Sequence, residues 1–525
     1  MVKISISAQK YIKTHFYNLI CLILILISLG LIIHRAWFCD DSFITFRTLD
    51  NFTNGHLLKW NTYERVQAYT HPLWLFLLIP IYAITHEIFL TVITVSVLLS
   101  ALSLFFLYGM VEDKKQLVFP LVALTVSNAF INYATSGLEN ALLNLLLCLF
   151  VVLYVKKQNH RFFYILIFLL ASLIALTRLD AILIVLPTLI YLFFYDKNKF
   201  FRKILASIIG FTPLIVWEIF SLFYYGFPFP NTFYAKLAGG FPLSEYLQRG
   251  VSYFFDAVTR DPVTIIGLFI GISSFFYLRR RLKPLSLGIF LYFLYVFYIG
   301  GDFMTGRMYA SLFFFSMVLI AQNEHQIKNW ILLLSTSAII FFGFVAECPT
   351  PFLLSTKPLS NTKFLIMDER RFYQTGTGLF RNNRINTSVE MDEDIWPFTG
   401  HSWIAQERLE GRVKEKWVFI MQGIGLFGYY GGPDIKVIDD VGLADPLIAR
   451  LPAIKNPDWR VGHLVRAIPE GYKESITDSN NKIANSQIEE YNSHLKVLTQ
   501  SDLFSKGRLL EILRFNLGYY DHLVK

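Results

Sequence analysis

The stretch LICLILILISLGLIIHRAWFCDDSFITF, residues 19–46, decides the fold class. An almost wholly apolar run, residues 19–38, is followed at once by two carboxylates, Asp40 and Asp41. Crossing the hydrocarbon core of a bilayer takes roughly 20 such residues. Charge at the edge of hydrocarbon is costly and by default marks a functional site. The stretch therefore predicts a membrane helix that ends at a pair of functional acids.

The composition of the chain also indicates a membrane protein. Of its 525 residues 54% are hydrophobic and 17% are charged, whereas a soluble domain carries about a quarter charged residues. The apolar runs predict an α-helical polytopic protein with about eleven transmembrane helices. We place these helices at 16–38, 88–110, 117–133, 139–155, 162–178, 180–195, 203–222, 262–278, 285–299, 308–321 and 329–346. A shorter apolar run, 72–84, is predicted to be interfacial or re-entrant.

The positions of the basic residues set the predicted topology. Clusters of lysine and arginine fall in every second loop, and the positive-inside rule assigns those loops to the cytoplasm. The clusters lie near residues 3–13, 114–115, 156–161, 197–203, 279–283 and 328. The N-terminus is then cytoplasmic, and the segment after the last span lies outside. For this reason the net charge of +9 is not interpreted as nucleic-acid binding.

The composition changes near residue 347, where hydropathy drops and Gly, Pro, Asp and Asn become more frequent. We divide the chain into a transmembrane catalytic domain, 1–346, and an extracytoplasmic α/β domain, 347–525. Residues 418–421 and 435–438 are predicted strands, while 368–383 and 486–500 are predicted helices or loops. Cys39 and Cys348 both fall near the outer face, so a disulfide between them is an open alternative.

The outer loops collect the residues with chemistry, and each has a structural alternative. Asp40 or Asp41 can cap a predicted helix, 42–55. Arg178 can form an ion pair with Asp180 that steadies a hairpin, and residues 231–236 can be ordinary loop. Arg307 can be an anchor whose charge reaches the membrane surface.

The alternative, functional interpretation is that basic residues in these loops bind an anion. Arg307 follows Gly300, Gly301 and Asp302, and a fork-shaped donor beside backbone that permits close approach suits a phosphate group. Lys236 is a second predicted anion ligand. The histidines show no metal-ligand spacing, so no metal site or other cofactor is predicted. A divalent cation held by the acidic pair with other oxygens stays an open alternative.

An ordered set of motifs resembles one branch of the GT-C superfamily of membrane glycosyltransferases. This branch includes the AftB-like terminal arabinofuranosyltransferases of actinobacterial cell walls and the LphB-like proteins of Gram-negative bacteria. The motifs are DDSFITFR (40–47), GH (55–56), ERVQAYTHPLW (64–74), ATSGLE (134–139), NTFYAK (231–236), GGD (300–302) and DDVGLAD (439–445). Leu179 departs from the branch, where Pro is common, and so do Gln67 and Ala68, where Glu-Gly is common.

The resemblance implies a GT-C-like fold in the bacterial inner (plasma) membrane, with the C-terminal domain in the periplasm. It implies an inverting glycosyltransferase that moves a sugar from a polyprenyl-phosphate donor to a cell-envelope glycan or lipopolysaccharide. Asp40 is then the expected general base, with Asp41 as its neighbour in binding or positioning. The expected donor and phosphate ligands are Arg307, Lys236, Asp302, Arg178 and Asn231. The expected acceptor ligands are Glu64, Tyr69 and His71, with Trp396, Trp403 and Trp459 as candidate sugar platforms.

Two other functions are compatible with the sequence. A transporter or flippase would use the acids as an ion or proton site, but such proteins usually place ionisable groups near mid-membrane and show internal repeats. A non-catalytic envelope assembly protein would keep only the architecture. Binding of a polyprenyl-phosphate sugar separates this last function from the enzyme.

Overall fold

The computed structural model describes residues 6–195, 200–237, 239–322, 328–348, 350–352, 365–380, 398–414, 417–478, 480 and 482–524. Within them the chain is mainly helical, as the apolar runs predict. Each predicted span lies on a helix or on two consecutive helices. The helices before residue 347 are α1 (Ile6–His34), α2 (Asp40–Thr53), α3 (Pro72–Thr85), α4 (Ile88–Met110), α5 (Lys115–Val126), α6 (Asn128–Tyr133), α7 (Asn140–Lys156), α8 (Phe163–Thr177), α9 (Ile182–Tyr195), α10 (Phe200–Gly210), α11 (Thr212–Tyr224), α12 (Asn231–Leu237), α13 (Leu243–Arg260), α14 (Pro262–Ser273), α15 (Lys283–Tyr298), α16 (Arg307–Ile320) and α17 (Asn329–Val345).

The apolar helices differ in whether they are long enough to cross a membrane. Among the described residues, His15–His34 and Ile88–Met110 are long and apolar enough to cross a membrane. Two bent pairs of helices, α10 with α11 and α13 with α14, raise this number to four if each pair is one span. The remaining apolar helices have 10–17 residues. The apolar helices agree with a membrane protein, and the number of eleven crossings stays a prediction.

Three local predictions can be compared directly with the helices. The predicted helix 42–55 is present as α2, which begins two residues earlier, and the short run 72–84 forms α3. The ordinary loop considered for residues 231–236 is wrong, because these residues lie in α12, which begins at Asn231. Helix α13 was not predicted, because its mixed polar and apolar residues fall below the hydropathy of a span. It meets α14 at an angle of 113°.

Close packing in the helical bundle depends on small residues at the contact points. At Gly288 in α15, an added Cβ atom would lie 1.8 Å from the Ile184 carbonyl oxygen of α9. Only glycine therefore allows these two helices to approach so closely. We infer that close packing at small residues, as well as apolar composition, holds the helices together, as it generally does in membrane proteins.

The C-terminal segment contains both helices and strands. Strands β1 (Val418–Met421) and β2 (Lys436–Asp439) form a parallel pair, with β1 at the predicted position and β2 one residue later than predicted. The helices are α18 (Glu369–Thr377), α19 (Phe398–Leu409), α20 (Gly425–Gly431), α21 (Tyr472–Thr477), α22 (Ser486–Gln500) and α23 (Lys506–Asn516).

The segment after residue 347 packs directly on the loops of the helical bundle. The Arg47 guanidinium donates to the Ile435 carbonyl oxygen at 2.9 Å, and Arg508 donates to the Tyr224 carbonyl oxygen at 3.0 Å. A separate α/β domain that begins at 347 therefore stays a prediction.

Three of the loops that the topology predicts to be cytoplasmic meet at one end of the bundle. At one end, Lys156 pairs with Glu112 at 3.1 Å, and Arg281 donates to the Val155 carbonyl oxygen at 3.4 Å. Helix α7 runs from this end to Glu139, about 25 Å away at 1.5 Å per residue. The loops predicted to be extracytoplasmic meet around Glu139.

Candidate active site

Asp40 is held by the C-terminal segment. Its carboxylate accepts hydrogen bonds from the backbone N–H groups of Gly425 at 2.9 Å and Leu426 at 2.8 Å, at the beginning of α20. An added Cβ atom at Gly425 would lie 1.9 Å from the Asp40 carbonyl oxygen, so only glycine fits there. The proposed capping of α2 is not what the structure has: Cys39 is the N-cap residue and makes no side-chain cap. Asp40 instead meets the N-terminal amides of another helix.

The surroundings of Asp40 suit a proton acceptor. Burial raises the pKa of its carboxyl to about 6, although the two backbone hydrogen bonds oppose the shift. Each carboxylate oxygen accepts one amide bond and keeps further lone-pair capacity. A carboxylate that is rigidly oriented and has a pKa near the operating pH is what general-base catalysis requires.

Asp41 faces a different set of residues, centred on Arg307. The Asp41 side chain is 27% exposed, and its carboxylate lies 3.7 Å from an Arg307 nitrogen. Arg307 also lies 3.4 Å from Asp302 and 4.0 Å from Glu139. These distances are too long for paired fork contacts. The Arg307 Nε is buried and has no hydrogen-bond partner among the described residues. The guanidinium therefore has unused capacity for an anion.

Glu139 ties Arg307 to a second set of charged residues. Its carboxylate lies 3.1 Å from the His71 Nδ1 and 3.5 Å from an Arg178 nitrogen. The predicted Arg178–Asp180 ion pair is present, with contacts of 3.1 and 2.8 Å. The same guanidinium thus serves both the hairpin and the cluster. Arg178 and Arg307 both approach the same Glu139 oxygen, Oε1, so Glu139 links the two guanidinium groups.

The C-terminal segment adds groups that no motif indicated. Glu369 is buried, and burial together with the nearby Asp41 and Asp40 raises the pKa of its carboxyl well above the ordinary value. The His463 ring packs edge-on against Phe303, with ring centroids 4.2 Å apart.

Lys236 lies at the edge of this cluster. Its charge and those of Asp41 and Asp302 act on the buried His463 imidazole. The lysine is exposed, and an exposed flexible stem lets the ammonium group reach an anion bound nearby. We define the active-site cluster by its members: Asp40, Asp41, His71, Glu139, Arg178, Lys236, Asp302, Arg307, Glu369 and His463.

Three predicted ligands have their contacts elsewhere. The Glu64 carboxylate is buried, and its Oε1 lies 3.5 Å from the Asn61 Nδ2. Burial raises the pKa of Glu64, and the charge of Asp445 raises it further. The Tyr69 hydroxyl bonds to the Tyr225 hydroxyl at 2.9 Å. Asn231 lies against the 439–445 motif. The sequence shows that these groups are polar but does not show that packing already satisfies them, and the structure places them outside the active-site cluster.

Asn231 fixes the loop formed by DDVGLAD, residues 439–445. Its amide nitrogen donates to the carbonyl oxygens of Gly442 at 2.8 Å and Asp445 at 3.0 Å. Within the loop, Asp439 accepts from the backbone N–H groups of Val441 and Ala444 at 3.0 and 2.9 Å. The motif is therefore a turn bonded to itself and to α12.

We expect Asn231→Ala to lower the free energy of unfolding by about 2–4 kcal/mol, because it leaves buried carbonyl groups without donors. Thermal unfolding of the purified protein measures this loss. Asn456→Ala is the matched control, since Asn456 is exposed and its side chain accepts one local bond. Equal unfolding temperatures for the two variants would contradict the role given to Asn231.

The structure also describes the cysteines, the groups that could bind a metal, and two of the three candidate tryptophan platforms. All four cysteines are buried free thiols, so Cys39 and Cys348 are not bridged. Among the residues with described positions, no group of three His, Cys, Asp or Glu side chains could hold a metal ion. Trp403 is 45% exposed, Trp459 is buried, and Trp396 lies outside the described residues.

The apolar helices agree with a membrane protein, and the charged cluster at one end of the bundle is its candidate active site. Residues 381–503 match the AftB family C-terminal domain. The chain is 23% identical to the terminal β-(1→2)-arabinofuranosyltransferase of Mycobacterium tuberculosis (strain ATCC 25618 / H37Rv), over 83% of this chain and 82% of that protein. These matches confirm the resemblance to AftB-like GT-C glycosyltransferases and support a glycosyltransferase role.

Proposed function

We propose that the chain is an inverting glycosyltransferase that moves a sugar from a polyprenyl-phosphate donor to a glycan or glycolipid acceptor on the extracytoplasmic side of the inner membrane. Arabinofuranose is the first sugar to test, because the M. tuberculosis relative is an arabinofuranosyltransferase. The acceptor is a cell-envelope glycan or lipopolysaccharide.

One observation supports this proposal most directly: a pair of adjacent carboxylates divides between two environments. Asp40 is rigid and has a raised pKa, whereas Asp41 faces an arginine with unused donor capacity. A transferase needs both a proton acceptor for the incoming hydroxyl group and a cation for the departing phosphate. Asp40 and Asp41 therefore place the proton acceptor and the cation for the phosphate within one turn of α2.

The proposed reaction is a single displacement at the anomeric carbon. The acceptor oxygen forms the new glycosidic bond while its proton passes to the Asp40 carboxylate. The bond from the anomeric carbon to the phosphate oxygen breaks, and its electron pair leaves with the polyprenyl phosphate. Arg307 and Lys236 stabilise that anion, and Glu139 and Asp302 hold Arg307 in place. Attack opposite the leaving group inverts the anomeric configuration.

The test is transfer by the purified full-length protein in lipid nanodiscs. Polyprenyl-phosphate arabinofuranose is supplied with a short arabinofuranosyl acceptor, and a panel of other polyprenyl-phosphate sugars follows. Release of polyprenyl phosphate and an inverted linkage, identified by nuclear magnetic resonance, are the expected results. No transfer from any donor in the panel would overturn the proposal, and a retained configuration would overturn the single displacement.

The raised pKa of Asp40 predicts an acid limb in the pH profile. A base works only when deprotonated, so activity is lost as the pH falls through about 6, and not near the ordinary value for an aspartate. We expect kcat/KM to fall about tenfold between pH 7 and pH 5. The profile of Asp41→Asn should keep this limb. A profile that is flat down to pH 5 would contradict Asp40 as the base.

A further inference from the structure

A polar cavity of about 230 Å³ lies at the end of α2 that is remote from Asp40. Its wall combines aromatic rings with planar hydrogen-bonding groups, and the GH motif (55–56) contributes His56 to it. The side chains used below are Asp50, Asn54, His56, Arg408, Tyr429 and Tyr430. None of them belongs to the active-site cluster.

Two helices connect this cavity to the proposed base. Helix α2 begins at Asp40, and Asp50 lies about 15 Å further along it at 1.5 Å per residue. Helix α20 begins at Gly425, on the Asp40 carboxylate, and its residues Tyr429 and Tyr430 line the cavity. The cavity is therefore held at a fixed distance from Asp40 by rigid elements.

The groups in the wall are suited to sugar rings. The Tyr429 and Tyr430 rings pack edge to face, at 87° with centroids 5.3 Å apart. Both line the cavity, where aromatic carbon can contact the C–H surface of a sugar. Asp50 accepts from the Tyr82 hydroxyl at 2.7 Å and from Asn54 at 3.0 Å, both at Oδ1. The other Asp50 oxygen has no hydrogen bond within the part of the chain described here, and it can accept from a sugar hydroxyl.

The backbone leaves room for a guanidinium beside these groups. An added Cβ atom at Gly432 would lie 2.4 Å from the Arg408 Cζ, so glycine is required for Arg408 to lie there. Arg408 brings several N–H donors, opposite in character to the Asp50 acceptor. A cavity with acceptors, donors and aromatic faces matches a molecule with many hydroxyl groups.

The charge of the cavity separates an acceptor glycan from the donor. Asp50 and Arg408 balance each other, and the other wall groups are neutral apart from the titratable His56. A phosphate group needs an excess of positive charge, which this cavity lacks. We propose that the cavity binds neutral sugar residues of the acceptor glycan, some units away from the hydroxyl group that reacts. This inference rests on the proposed transferase function.

Direct binding of neutral oligosaccharides to the full-length protein, without donor, tests the cavity. The probes are arabinofuranosyl oligosaccharides of increasing length and a matched hexopyranosyl series, titrated by calorimetry. Arg408→Ala and His56→Ala alter exposed side chains of the wall, so both variants should fold. We expect each to weaken binding of the longest ligand that the wild type binds by about tenfold, the effect of losing one or two hydrogen bonds.

Arg412→Ala is the matched control, because Arg412 is half exposed, pairs with Glu407 and does not line the cavity. It should bind the oligosaccharides like the wild type. Unchanged binding in both wall variants, or no binding of either series by the wild type, would overturn the cavity proposal. Binding that persists in a protein without transferase activity would overturn the proposed function alone. Transfer without such binding would overturn the cavity alone.

Discussion

Replacement of Asp40 by Asn is expected to lower kcat by a factor of about 10²–10⁴, the range that a general base contributes. The amide cannot take the proton of the acceptor hydroxyl, whereas donor binding by Arg307 and Lys236 stays intact. Asp41→Asn should act mainly on KM for the donor, because Asp41 is more exposed and lies against Arg307. Initial rates of both variants, with donor and acceptor varied separately, measure the difference.

Asp40 also holds α20, and the test must separate catalysis from folding. In Asp40→Asn the side-chain NH₂ group meets the N–H of Gly425 or Leu426, so one of the two hydrogen bonds is lost. We expect a cost of about 1–3 kcal/mol in stability, which thermal unfolding detects. Polyprenyl-phosphate binding by the variant shows whether the site is still assembled.

Two results would count against Asp40 as the base. One is a folded Asp40→Asn variant with nearly full kcat. The other is a loss of kcat that follows Asp41→Asn instead. The second result would give the proton to Asp41, whose carboxylate is the more accessible of the two. Asp40 would then be a structural acceptor for the α20 amides.

The helical part of the fold could be predicted because length and hydropathy determine it locally. Each long apolar run lies on a helix, and the two predicted strands are present. Helix α13 was missed because it is amphipathic and its hydropathy resembles that of a loop. The docking of the C-terminal segment on α2 could not be predicted either. It depends on glycines such as Gly425, which lies so close to the backbone of Asp40 that no side chain fits. That close approach is a property of the folded chain.

The active-site cluster was predictable where charged residues fall in loops assigned to one face. Asp41, Arg178 and the pair Asp302 and Arg307 come from three separate loops and meet in the structure, with Arg178 joined to Arg307 through Glu139. Glu139 stood in a motif but was given no role, and its contacts with both arginines are a property of the assembled loops.

Glu369, a member of the site, had no sequence signal, and Asn231, which lies outside the site, had a misleading one. Glu369 comes from a helix that no motif marks, so only the fold brings it near the acidic pair. Asn231 stood in a motif, and its bonds to the 439–445 loop explain that motif as architecture. A sequence lists donors and acceptors without showing which of them the fold has already used.

Replacement of Arg307 by Ala is expected to weaken binding of polyprenyl phosphate by about 10–100-fold, the effect of losing a charged hydrogen-bond donor. The leaving phosphate gains charge in the transition state, so kcat/KM should fall further, by a factor of about 10²–10³. Arg307→Lys should recover part of the binding, because it keeps the charge but loses the fork. Titration with polyprenyl phosphate without a sugar isolates the anion contact.

Arg307 lies among Asp41, Glu139 and Asp302, so its removal leaves carboxylates without a countercharge and also lowers stability. The lysine variant is therefore the decisive one, since it retains a countercharge. Arg460→Ala is the control for a general loss of positive charge, because Arg460 acts on His463 from the C-terminal side. If Arg460→Ala weakens binding as much as Arg307→Ala, the donor is attracted by the field of the whole site. If both Arg307 variants bind like the wild type, the unused Arg307 Nε does not serve the phosphate, and the leaving-group role passes to Lys236.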